Sequence, residues 1–164
     1  MAQAMHIRDY REGDRERVNE VALAAFAQFN SRYDDWSAMA AGIGNMASLS
    51  QRGEVIVAEH DGAIIGAVAY IPPHATKADY FDRAWPIIRM LVVDPQARGL
   101  GAGRALTDAC IARAQRDGSP VIALHTSPIM GVALPMYLRM GFTRIRDAPP
   151  IHGVAYAVYL KPLS

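Results

Sequence analysis

Between Ile87 and Leu106 the chain passes from an apolar run, Ile87-Ile88-Arg89-Met90-Leu91-Val92-Val93, through Asp94-Pro95 into Gln96-Ala97-Arg98-Gly99-Leu100-Gly101-Ala102-Gly103-Arg104 and on to a helical pattern. A strand, a tight glycine loop and a helix start, in that order, make an anion site. The unpaired N–H groups of the first helical turn and the positive end of the helix dipole point outward together. Glycines disfavour a helix, by about 0.8–1 kcal/mol each in its interior. Alternating ones at its start instead leave the backbone bare for close approach by a phosphate, which a Cβ would block.

Two phosphate-binding motifs fail against this segment. A P-loop needs Gly-Lys-Ser/Thr at the helix start, and Gly103 is followed by Arg104 and Ala105. A dinucleotide fingerprint needs Gly or Ala at its last position, where Arg104 or Leu106 stands, depending on the first glycine chosen. The arrangement that fits is Arg98-x-x-Gly101-x-Gly103 after a hydrophobic strand and Asp94-Pro95. It resembles the pyrophosphate loop of the GCN5-related N-acetyltransferases (GNAT), whose pattern is Arg/Gln-x-x-Gly-x-Gly/Ala.

The resemblance extends to a second segment. In that family a later strand is followed by a helix containing Ala-x-x-x-Tyr and then by Gly-Phe. Here Ala133-Leu134-Pro135-Met136-Tyr137-Leu138-Arg139-Met140-Gly141-Phe142 matches it. The two motifs cover about the C-terminal half of the chain. The resemblance implies acetyl-CoA as co-substrate and direct attack of a neutral primary amine on its thioester. It implies that Leu91, Val92 and Val93 offer main-chain groups to the acetyl and pantetheine parts. Arg98, Gly99, Leu100, Gly101, Ala102, Gly103 and Arg104 would hold the pyrophosphate, and Tyr137 would be the acid for the departing thiolate. A phenol near pKa 10 is a weaker acid than a thiol near 8.5, so Tyr137 must act by position.

This sequence departs from the family pattern in three places. Many relatives carry a carboxylate on the strand before the loop as base, whereas this strand holds Arg89 and no acid. Met130 stands where an asparagine often precedes the tyrosine, and Pro135 lies inside the short helix, whose first turn must then start late or bend. The missing carboxylate motivates a rival, a non-catalytic acyl-CoA-binding module of the same fold. A nucleotide-binding protein using the same loop is disfavoured by the absent Lys-Ser/Thr. By strand parity Arg89 shares a face with Leu91 and Val93, where it could meet a carboxylate on the acceptor. His125 reads as a satisfied core histidine, and His74 and His152 as loop residues.

Elsewhere the chain is ordinary globular protein. Its 164 residues, 51% apolar and 20% charged, suit one domain over 1–164. A net charge of +1 with mixed signs makes no case for nucleic acid or an anionic membrane as partner. No apolar stretch approaches the roughly 18 residues of a membrane span, and Arg8, Asp9, Arg11, Glu12 and Asp14 crowd the start where a signal sequence would be apolar. The expected compartment is cytoplasmic. A single cysteine, Cys110, excludes an intrachain disulfide and falls on a helical pattern as a small buried hydrophobe. No His/Cys/Asp/Glu set has metal-ligand spacing, so no metal is expected. The partner implied is a small-molecule or peptide amine, and the resemblance leaves room for a homodimer.

Periodicity gives strands at His6–Arg11, Glu54–His60, Ala63–Ile71, Ile87–Val93, Val121–Thr126, a strand opening at Phe142, and Val154–Leu160. Helices are expected after Asp14, which could cap the first, over Trp36–Leu49, where Gly42 and Gly44 weaken continuity, from Gly101 to Arg116 and over Val132–Met140, with Asp61-Gly62 as a hairpin turn and a polar surface loop from His74 to Ala84. One parallel crossover within otherwise antiparallel strands predicts an α/β (α+β) fold, a single twisted mixed sheet with helices on both faces. That is also the architecture the family resemblance implies.

Overall fold

The structure, a computed structural model, describes residues 5–163. Its most local feature is a hairpin. Strands β2 (Glu54–His60) and β3 (Ala63–Ile71) pair antiparallel around Asp61 and Gly62, which both take positive φ, 51° and 77°. Two left-handed residues give a two-residue turn whose twist matches that of the flanking strands. β1 (His6–Asp9) adds to β2, and β4 (Ile87–Val93) adds to β3. The chain then crosses over through a helix at Ala102–Arg116 to β5 (Val121–Thr126), which meets β4 in the sheet's one parallel pairing. A second hairpin, β6 (Thr143–Ile151) and β7 (Val154–Pro162), inserts β7 beside β5. The result is a seven-stranded mixed sheet in the order β1-β2-β3-β4-β5-β7-β6.

Side-chain alternation divides the interior between the two faces. On one face Ile56, Val68, Ile88, Ile122 and Leu124 pack against Leu106, Cys110 and Ala114 of the crossover helix and Tyr137 of the helix at Ala133–Arg139. On the other, Val55, Val57, Ala67, Ala69 and Val92 meet Val18, Val21 and Ala22 of α1 (Arg15–Ala27) and Ile43 of α2 (Trp36–Ile43). The crossover helix is α3, and the Ala133–Arg139 helix is α4. Cys110 is fully buried, and desolvation pushes its thiol up, away from the thiolate.

Three local expectations are revised. The single helix over Trp36–Leu49 is broken: α2 ends at Ile43, Gly44 caps it, and a 3-10 segment at Met46–Gln51 turns Met46, Ala47 and Leu49 into the core. Asp14 precedes α1 but does not cap it. Its carboxylate instead accepts from the Arg11 N–H at 2.8 Å and from Arg8 at 2.8 Å. Pro135 neither delays nor bends α4. It occupies the first turn, where its missing N–H is one that no helical carbonyl would have received.

A charged network locks β1, β2 and the end of α3 together away from the strand ends of the cleft. Arg116 reaches Glu54 at 2.8 Å and Asp117 at 3.0 Å, Arg113 bridges Glu54 and Asp9, and the Tyr70 hydroxyl donates to Asp117 at 2.8 Å. Hydrogen bonding from Arg116, then from Arg113, holds the Glu54 carboxyl below its ordinary range against the opposing effect of burial. The stabilisation is present above the unfolded carboxyl's pKa of about 4.3 and is lost as pH falls through the lower folded value. Glu54→Gln should therefore cost about 1 kcal/mol at pH 7, the pair being partly exposed, and the difference from wild type should close below about pH 4. Urea unfolding at the two pH values checks this, and a cost that persists in acid would contradict it.

Candidate active site

β4 and β5 begin as neighbours and part at once. Ile87 pairs with Ala123, the Ala123 N–H donates to the Pro86 carbonyl at 3.0 Å, and no further β4–β5 bridge follows. The cause lies in β4. Met90 takes φ 58°, and the register against β3 steps from Ala69↔Arg89 to Ala67↔Val92, so that Met90 and Leu91 together oppose Val68. This is a β-bulge, which bends its strand and leaves a ladder group unpaired. A methionine held in this left-handed region costs about 1–3 kcal/mol, a strain of the kind that collects at functional sites.

The bulge also reverses parity along the strand. Leu91 and Val93 lie with Ile88 on the α3 face, whereas Arg89 lies with Ile87 on the opposite face, beside His125. The expectation that Arg89 shares a face with Leu91 and Val93 is thus incorrect, because the parity rule assumes an unbroken strand.

Two chambers open on the splayed strands. One, of about 690 Å³, is bounded by Leu91, Val93, the Arg98–Arg104 loop and α4. The other, of about 580 Å³, is walled by α2, Arg89, His125, Tyr137 and Tyr156. Phe26, Leu91, Met130 and Ala133 line both, so the chambers meet at the bulge. Met130 stands at this junction, in the position where the family pattern often has asparagine.

The glycine loop has the geometry of an anion cradle. Gly99 and Gly101 take φ 86° and 82°, and a Cβ built on either would meet nothing of the protein within 4 Å. Gly101 is the N-cap of α3 and offers no side chain to cap it. The first helical N–H to be satisfied is that of Ala105, on the Gly101 carbonyl at 3.0 Å, which leaves those of Ala102, Gly103 and Arg104 facing out. Only Gly103 of the three glycines lies inside the helix, and space above it is shared with Met136, whose sulfur would sit 3.6 Å from an added Cβ. Asp94 fixes the loop's entry by accepting from the Gln96 N–H at 3.0 Å and from Arg17 at 2.9 Å.

A GNAT acetyltransferase domain model matches residues 51–144. The chain belongs to the GNAT acetyltransferase family. Among solved structures, a GNAT-family acetyltransferase from Staphylococcus aureus Mu50 superposes with a TM-score of 0.75 at 22% identity, over 98% of this chain and 100% of the other. The protein yncA from Salmonella typhimurium, solved with its cofactor acetyl-CoA, superposes at 0.70 and 22% over 99% and 95%. These likenesses concern the fold. Among curated proteins, the mycothiol acetyltransferase of Geodermatophilus obscurus is 42% identical over 57 residues, which is 35% of this chain and 18% of that protein. That of Thermomonospora curvata is 34% identical over 105 residues, 60% of this chain and 32% of the relative. The chain thus spans less than a third of the length of the curated relatives it matches.

Within this GNAT domain the sequence-derived residues divide as follows. Leu91, Val93, Arg98, Gly99, Gly101, Ala102, Gly103 and Arg104 line the loop-side chamber. The Val92 side chain is buried against α1 on the other face, and Leu100 projects outward, 46% exposed. The linear sequence gave no sign of Gln28 and Arg139, which line the same chamber. Gln28 accepts from Arg98 at 2.8 Å across 70 positions, a partnership that only the docking of α1 creates.

Tyr137 lies in the wall of the second chamber, buried, its ring edge-on to Phe142 at 5.6 Å. Burial pushes its phenol above the ordinary value, and its hydroxyl bonds no other described residue. His125 is not the satisfied core histidine expected. Its ring packs between Tyr80, Phe81 and Tyr156 at 5.4, 5.8 and 5.1 Å, yet neither nitrogen is bonded to a described residue, and it borders the chamber. Burial first, and the charge of Arg89 second, push its pKa down to about 4, so the imidazole is neutral. Tyr80 and Phe81 come from the 74–84 loop, whose polar composition gave a surface reading. The loop does run outside, closed by the His74 N–H on the Arg83 carbonyl at 2.8 Å, but it turns Phe81 inward to 6% exposure. His152 lies at the β6–β7 turn, as a loop residue, and also lines this chamber.

Proposed function

We propose that the chain transfers the acetyl group of acetyl-CoA to the neutral primary amine of a small-molecule acceptor, by direct attack within a ternary complex. The carrying observation is the pair of chambers meeting at the β4 bulge. One is built for a phosphate-bearing donor, and the other, at about 580 Å³, is of a size for a small molecule. The printed name of the curated relatives, mycothiol acetyltransferase, supports a small acceptor.

The residues fit the donor. The open N–H groups of Ala102, Gly103 and Arg104 would hold the pyrophosphate, with Arg98 and Arg104 adding charge, and the bare backbone at Gly99 and Gly101 would allow it to approach. Main-chain groups of Leu91 to Val93, left without a β5 partner, would align the pantetheine arm and the acetyl carbonyl. Acetyl-CoA supplies the activated thioester. An N–H aimed at the carbonyl oxygen where charge develops contributes several kcal/mol in a dry site. Tyr137, kept protonated by burial, would donate its proton to the departing sulfur and recover the one that the attacking nitrogen sheds as the amide forms. No Asp or Glu lines the acceptor chamber, and an imidazole with a pKa of about 4 cannot take a proton from an ammonium group. The acceptor therefore enters as the free amine.

Calorimetric titration of CoA tests the donor site. Gly101→Val, which forces a β-branched residue to positive φ and fills the cradle, should weaken binding at least about tenfold, and equal affinities would remove the loop from the site. Tyr137→Phe should keep CoA affinity and lower turnover on the order of 10²-fold. Unchanged turnover with chemistry rate-limiting would return Tyr137 to a packing role. Thiol release across an amine panel tests the transferase itself, and tight CoA binding with no release from any amine would leave a binding module. With a good acceptor, kcat/KM should rise about tenfold per pH unit up to the acceptor's own amine pKa. A plateau near neutrality would reveal a protein base that the chamber walls do not offer.

A further inference from the structure

An arginine usually finds an acid. Arg89 has no ion pair and no side-chain hydrogen bond with any described residue; it is exposed and stands in the wall of a chamber. His125 of β5, neutral and unable to compensate a positive charge, and Tyr80 of the 74–84 loop both lie near enough to feel its charge. Across the chamber Arg52, also exposed and without a side-chain partner among the described residues, forms part of the rim. Among the described residues no carboxylate lines the chamber. The chamber is therefore positive, while Glu54 of β2 and Asp9 of β1 are taken up by Arg113 of α3. A polyamine would meet only like charge there.

We infer that the acceptor amine also carries a carboxylate, and that Arg89 is the residue that binds it. The inference rests on the reading of the second chamber as the acceptor side and deepens it to a substrate class, small amino acids or other carboxylated amines. The planar fork of a guanidinium matches the two oxygens of a carboxylate, and an ionised pair of this kind is about twice as strong as a neutral hydrogen bond. The β4 bulge makes the placement possible. It turns Arg89 to the acceptor face while Leu91, two residues on, faces the donor side. A carboxylate seated on Arg89 would thereby anchor the acceptor one bulge away from the strand segment that aligns the acetyl carbonyl.

The test separates this inference from the transferase reading by measuring binding as well as turnover. N-acetyl amino acids and their primary amides, titrated by calorimetry into CoA-saturated protein, should show at least one acid bound about tenfold or more tighter than its amide. Arg89→Met should bring each such pair to near equality, with Arg89→Lys intermediate, and unfolding curves should show that both variants are folded. Equal affinity for acid and amide throughout the wild-type panel would overturn the inference, as would discrimination that survives Arg89→Met. In the parallel thiol-release assay, discrimination in binding without release from any amine would sink the transferase reading and leave the Arg89 assignment standing. Release that favours polyamines or amides would do the reverse.

Discussion

The bulge at Met90 is the constraint on which the rest of the cleft depends. Had β4 continued straight, it would have paired with β5 along its length, and the sheet would have closed over the space where two chambers now meet. One residue in left-handed conformation breaks the ladder after Ile87↔Ala123, frees main-chain groups along Leu91 to Val93, and sends Arg89 to the face opposite Leu91. The packing that holds this strained turn lies on both sides of it. Ile88, Leu91 and Val93 are clamped against α3, and Met90 and Val92 against α1. The strand's end is pinned by the Asp94 N–H on the Ile65 carbonyl at 2.8 Å and by Arg17 on the Asp94 carboxylate. A strain of about 1–3 kcal/mol persists because three elements would have to move to relieve it.

The two sides of the cleft have different origins in the chain. In the loop-side chamber the anion cradle is continuous in sequence, running from β4 through the glycine loop into α3, and the end of α1 and the 129–139 segment complete the wall. The second chamber is assembled from segments far apart: α2, β4, the end of β5, α4 and the β6–β7 turn, with the 74–84 loop packed behind His125. Its closure depends on contacts such as the Asp34 N–H on the His152 carbonyl at 2.7 Å and the paired hydroxyls of Tyr33 and Tyr156. Gly153 suits that turn, since its φ is 80° and a Cβ there would crowd the Asp34 carboxylate.

Legibility in the sequence follows the same division. Strands β2 to β5 have the bounds that their apolar periodicity predicts, and α3 starts one residue after the glycine that caps it, because each signal is local. Asp61-Gly62 and Gly141 likewise act through their own backbone conformations. The bulge was not legible. Neither glycine nor asparagine marks Met90, and the register break is imposed by packing against two helices, so the face of Arg89 came out wrong. Gly42 and Gly44 weaken a continuous second helix, and it is at Gly44 that the helix ends. The polar loop at 74–84 hid Phe81, since composition averages over residues and a single inward turn does not. His125 was misjudged for a related reason: its neighbours come from positions 80, 81 and 156, which no window around it contains.

A net charge of +1 conceals how the charges are distributed. At the end of the sheet where β1, β2 and α3 meet, Arg8, Arg113 and Arg116 are consumed by Asp9, Asp14, Glu54, Glu59 and Asp117. At the cleft the arginines have nothing comparable. Arg98 is held only by a neutral amide, Arg104 lies 3.9 Å from Asp108, and Arg89 and Arg52 have no side-chain partner among the described residues. Paired charges add rigidity and contribute little to the field, whereas these exposed, unpaired ones project a positive field into the cleft, screened by salt. The same residue type is thus used for two physical purposes, and the difference between them is set by where the acids fold. On the proposed reading both substrates of this site are anions, and the field that draws them in also disfavours the protonated form of the amine that must attack. A protein carboxylate acting as base would oppose the first of these effects, which gives a physical reason for its absence from β4.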